Sequence, residues 1–166
     1  MSNDLSERLW ALFDETPVAS LGVHEGEGGV GVSLVPYVVD RAGPVRFVVL
    51  VSALSPHTEA LRQNPRAGLM VSAALRPDDR HSHHAQTRFS CRVTARFVSR
   101  EEAAQRGDEA AYRARFAIAE TLLGLNDFHF VALTPEPSSA RFVMGFGRAY
   151  TLTGEAFEGF NHERGR

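Results

Sequence analysis

One short segment, Val45-Arg46-Phe47-Val48-Val49-Leu50-Val51, limits what this chain can fold into more than any other. It is apolar nearly throughout and rich in β-branched side chains, and it shows neither alternation nor a helical stripe. A run of that length and character reads as a strand buried on both faces, which places it at the centre of a sheet. The flanking sequence supplies its neighbours. Val18 to Val23 and Val30 to Val39 are β-branched stretches broken by Glu25-Gly26-Glu27-Gly28-Gly29, the pattern of a hairpin. Asp40 to Pro44 is a turn, Ala67 to Ala73 a further strand and Arg88 to Val98 a long alternating one. Phe128 to Leu133 and Arg141 to Phe146 read as two closing strands joined by Thr134-Pro135-Glu136-Pro137.

Helices fall between these runs. Leu5, Leu9, Leu12 and Phe13 make one apolar stripe ending before Pro17. Ser55-Pro56 is an N-cap followed by proline at the first helical position, and Asn64-Pro65 stops the helix after Gln63. Glu101 to Glu120 is rich in Ala, Glu and Arg and breaks at Gly107. Six or seven antiparallel strands with helices inserted among them predict an α+β, mainly antiparallel barrel with peripheral helices, not a doubly wound sheet. No repeat or long linker divides the chain. One domain is expected over 1–153, with a short frayed tail over 154–166.

Composition narrows the partners. The net charge is −2 and the basic residues are spread along the chain, so a nucleic-acid partner is not expected. No apolar run nears the roughly 20 residues that span a bilayer, which argues against a membrane-embedded protein. Cys91 is the single cysteine and the first residues lack a basic and apolar leader, so a reducing cytoplasm is the expected setting. All 18 basic residues are arginine. Without a lysine amine, aldimine chemistry of the pyridoxal-phosphate kind is excluded.

The stretch Val48 to Leu61 runs strand, turn, helix start, and gathers Ser52, Ser55, His57 and Thr58 at one helix N-terminus, where free backbone N–H groups favour a phosphate. Such Ser-Pro starts also simply cap their own helix. Four stretches, in order and spacing, carry a resemblance: Val32 to Tyr37, Leu50 to Thr58, Asn64 to Ala67 and Arg141 to Ala149, with Thr87-Arg88-Phe89 and Asp127-Phe128 between them. Together they resemble the FMN-binding split barrels related to pyridoxamine 5′-phosphate oxidase, among them the small bacterial members grouped with the split-barrel haem-utilisation proteins.

That resemblance implies a homodimer with FMN at the subunit interface. Ser52, His57 and Thr58 would hold its phosphate, Ser33 and Leu34 would line the ribityl chain and ring, and Arg88 and Arg148 would approach the isoalloxazine. The implied activity is that of an FMN-dependent oxidoreductase exchanging electrons or hydride with an unidentified small molecule. A haem-binding or haem-degrading protein on the same barrel is the alternative, with His162 or the 81–84 segment as iron ligand, and a flavin-binding module without turnover is another. The cluster Arg80-His81-Ser82-His83-His84 reads as a solvated polar loop, and no structural metal site is expected there.

Overall fold

A computed structural model describes residues 2–75 and 83–163 of the chain. The first helix, α1 (Ser2–Glu15), buries Leu5, Leu9, Leu12 and Phe13 and ends before Pro17. β1 (Val18–His24) and β2 (Val30–Asp40) form the expected hairpin, in register from Val18 opposite Pro36 to His24 opposite Val30. β3 (Arg46–Ser52) pairs antiparallel with β2 on one side and with β6 (Phe128–Pro135) on the other. The helix α2 (Pro56–Gln63) then leads into β4 (Arg66–Ser72), which pairs with both β1 and β5 (Arg88–Val98). Since β5 also pairs with β6, the six strands close into a ring in the order β1, β2, β3, β6, β5, β4. Closure leaves this part of the sheet without a free edge.

β3 is buried from Arg46 to Val51, as its composition requires. Phe47, Val49 and Val51 point into the barrel, where Phe47 meets Phe13, Tyr37 and Phe89 at ring separations of 5.2 to 5.7 Å. Val48 and Leu50 face outward, yet lie in a second apolar cluster with Tyr112, Leu123 and Phe130. That cover comes from α3 (Arg100–Gln105), α4 (Asp108–Arg115) and α5 (Ala119–Leu123), three pieces where the sequence suggests one broken helix or two. Ser99 caps α3 by accepting from the Glu102 N–H at 3.1 Å, and Gly107 takes the break at φ 81°.

The polar exception in β3 anchors this layer. Arg46 is 5% exposed and donates to both carboxylate oxygens of Asp108 at 2.7 and 2.9 Å and to Asp40 at 2.8 and 3.0 Å. It ties α4 to the β2–β3 turn.

Two sequence expectations are corrected. β7 (Arg141–Val143) ends earlier than expected and is not a barrel strand; it pairs with Arg88–Ser90 outside the ring. The chain then turns at Gly145-Phe146-Gly147 into β8 (Ala149–Thr153). The residues read as a frayed tail from Gly154 onward instead turn back and form β9 (Gly159–His162) against β8, with Phe157 buried between Trp10 and Phe89. Strands β7 to β9 thus make a flap on the barrel. Among the described residues no helix is long and apolar enough to cross a membrane.

Candidate functional site

The residues expected to hold a phosphate converge, but on one another. Ser52 donates its hydroxyl to Asp127 at 2.9 Å and accepts from the Leu54 N–H at 3.1 Å. Thr58, 1% exposed, donates to the Ser52 carbonyl at 2.6 Å. These bonds close the β3–α2 turn, so both hydroxyls are engaged within it. His57 meets Ser33, with Nδ1 and Oγ 3.0 Å apart, and burial holds the imidazole below the usual histidine range. Leu34 points to the opposite face of β2 from Ser33 and is exposed, as alternation demands. Arg88 donates to the Gln86 carbonyl at 3.1 Å beside its own strand. Arg148 lies elsewhere, in the flap. The seven residues therefore divide among the α2 start, the outer face of β2, the start of β5 and the flap.

The flap presents a second arrangement. His162, at the end of β9, donates a ring N–H to the Gly147 carbonyl at 3.0 Å and packs edge-on against Tyr150 at 5.2 Å. Glu163, next in the chain, accepts from Thr151 at 2.7 Å and pairs with Arg141, while its N–H donates to the Ala149 carbonyl at 2.8 Å. The Thr151 hydroxyl, with the Arg141 guanidinium, holds this carboxyl below the usual range despite partial burial. His162 is thus held through the Gly147 carbonyl on its ring and through the Glu163 contacts next to it in the chain, and its side chain is exposed. Sequence reading names His162 and Arg148 but carries the strand on through Phe146, because Met144-Gly145-Phe146 reads as a continuing apolar run, where the structure places a turn. The signal was the glycine on each side of Phe146.

Among the described residues no group of three or more His, Cys, Asp or Glu side chains is arranged to hold a metal ion. His83 and His84 lie in a short exposed helical turn, and His81 lies outside the described residues. A cavity of about 460 Å³ opens beneath the β8–β9 turn, walled by Pro44, Pro135, Pro137, Leu152 and Phe157, and no histidine lines it.

No protein-family model matches the chain. It is 28% identical over 151 residues to the haem oxygenase HutZ of Vibrio cholerae, a match covering 89% of this chain and 81% of that protein. Among solved structures, ChuZ of Campylobacter jejuni is similar with a TM-score of 0.75 at 22% identity, over 97% of this chain. A haem binding protein of Mycobacterium smegmatis has a TM-score of 0.71 at 28% identity, over 87% of this chain. The chain spans 63% of the ChuZ chain and 56% of the mycobacterial one. A Clostridium acetobutylicum protein of the pyridoxinephosphate oxidase family shares the fold at 12% identity, with a TM-score of 0.64 over 95% of this chain and 99% of that one.

These relatives overturn the expectation of FMN and of an FMN-dependent oxidoreductase, since HutZ and the mycobacterial protein are named for haem and the oxidase-type structure is distant in sequence. Its physical weakness is visible in the α2 turn, where Ser52 and Thr58 bond within the protein. The chain is a split-barrel protein, sharing its fold with the pyridoxamine 5′-phosphate oxidase relatives and similar in sequence as well to the haem-utilisation group.

Proposed function

We propose that this protein binds haem on the β7–β9 flap and degrades it. The observation that carries the reading is His162, in a chain 28% identical to a haem oxygenase. Iron-ligating imidazoles commonly donate their other N–H to a backbone carbonyl, which fixes the tautomer and raises ligand basicity. The Gly147 carbonyl takes the Nε2–H of His162, which leaves Nδ1 as the second nitrogen of an exposed ring. An imidazole is a common axial donor to haem iron, so a histidine here fits that group. When bound, haem supplies the oxygen chemistry. The chain's part is to ligate the iron through His162 and to keep β9 from shifting through the Glu163 contacts to Thr151, Arg141 and Ala149.

A homodimer belongs to the same reading. Leu34, Ser20 and Met70 lie in one row across β2, β1 and β4, and Val32, Gly22 and Gly68 in the next. Val30, Val32, Leu34 and Met70 are exposed while the residues between them are small, leaving an apolar face with a shallow centre. A face of this kind, on a barrel whose other side is covered by helices, suits a second copy of the chain.

The test of degradation uses haemin-loaded protein incubated in air with ascorbate. Decay of the Soret band with release of chelatable iron is expected, and no decay in the absence of oxygen. A stable Soret band in air would sink the degradative half and leave a haem-binding protein.

A further inference from the structure

We infer that the β7–β8 hairpin tip is a porphyrin-binding finger, in which Phe146 stacks on the face of the macrocycle and Arg148 pairs with a propionate; the inference rests on the haem reading of His162. Phe146 is 93% exposed, more than any other large apolar side chain among the described residues. Burial of such a ring is favourable, and the free chain forgoes it.

The hairpin holds the ring out. Met144 N–H donates to the Arg148 carbonyl at 2.9 Å and Arg148 N–H to the Gly145 carbonyl at 3.2 Å, so the backbone is closed beneath the tip. Gly145 and Gly147, at φ 148° and 71°, allow that turn, and a Cβ at either position would meet nothing within 4 Å. The ring of Phe146 is left open to solvent, as its 93% exposure shows.

The finger and the histidine are one unit. The residue after Phe146 is Gly147, whose carbonyl takes the His162 N–H at 3.0 Å. The residue after that is Arg148, exposed and in none of the ion pairs among the described residues, whereas Arg141 on the same flap is paired with Glu163. A flat apolar ring and an uncommitted guanidinium at the hairpin tip, tied through Gly147 to the imidazole of His162 on β9, match the three chemical parts of haem: macrocycle, carboxylates and metal.

The test is a haemin titration of the full chain followed at the Soret band, for wild type and for Phe146→Ala, Phe146→Trp and Arg148→Gln, with sedimentation of each apo protein. Phe146→Ala should bind about tenfold more weakly with an unchanged band position, and Phe146→Trp within about twofold of wild type, because a second aromatic ring restores the stack. Arg148→Gln should bind several-fold more weakly, with reduced dependence on salt. Wild type that binds haemin while Phe146→Ala binds it equally well overturns the finger and leaves the haem reading standing. Loss of the apo dimer in Phe146→Ala also overturns it, by assigning the ring to a subunit contact. Wild type that binds no haemin overturns both.

Discussion

At the scale of single residues, the outcome turns on which polar groups are already committed. Arg46 is committed by burial: with Asp108 it forms a bidentate pair inside the protein, and Asp40 takes two of its other three N–H donors. Removing one partner leaves a charge in a poorly solvated place, so Asp108→Ala should destabilise by about 3 kcal/mol, read as a lower urea midpoint at unchanged slope. Burial tends to raise the Asp40 carboxyl, but the Ala42 N–H and the Arg46 guanidinium outweigh it and hold the pKa below the usual range. A depressed folded-state pKa means stability that is present above the unfolded value and lost as pH falls through the folded one. His57 titrates in a different window. Its pKa is lowered by burial, so the unfolded chain takes up the proton first, and stability falls as pH drops below about 6.5. His57→Gln should flatten the thermal midpoint between about pH 7 and pH 5.5, and an unaltered profile would show that His57 does not couple to folding. Ser52 and Thr58 mark a limit of sequence reading: a Ser/His/Thr group at a helix start is legible, but not that Asp127, 75 positions away from Ser52, accepts the serine's hydrogen bond.

At the scale of elements, the legible parts were those with a period or a stop. The alternation of Arg88 to Val98 and the Pro/Asn boundaries of α2 appear in the structure with the expected limits. The all-apolar β3 is buried on both faces because two separate clusters need it. The flap was illegible for two reasons. Apolar residues continue past the end of β7 through Met144 and Phe146, and β9 is held by pairing with β8 and by Phe157, a tertiary contact with Trp10 and Phe89. Phe157 also adopts φ 58°, a left-handed conformation that costs a non-glycine residue about 1 to 2 kcal/mol. Phe157→Ala should therefore destabilise by about 3 kcal/mol, mostly from the lost burial. Phe157→Gly should lose about 1 kcal/mol less despite the smaller side chain, because glycine accepts that backbone. Equal denaturation midpoints for the two variants would show that the backbone there relaxes.

At the scale of the whole molecule, the proposed homodimer rests on a closed barrel with one helix-covered side and one bare apolar face. Leu34, exposed at the middle of that face, is the residue whose change should separate the subunits. Leu34→Arg would place a charge against its symmetry mate, and sedimentation should then give a species of about 18 kDa where wild type gives about twice that. Wild type sedimenting as the monomer would remove the dimer from the reading. The central claim, that this barrel holds haem through His162 on its flap, is tested most directly by resonance Raman spectroscopy of the ferrous haem complex. An iron–histidine stretching band is expected in wild type, absent in His162→Ala and restored as an iron–imidazole band when imidazole is added to that variant. The same band persisting in His162→Ala without imidazole would contradict the claim and assign the iron to another ligand.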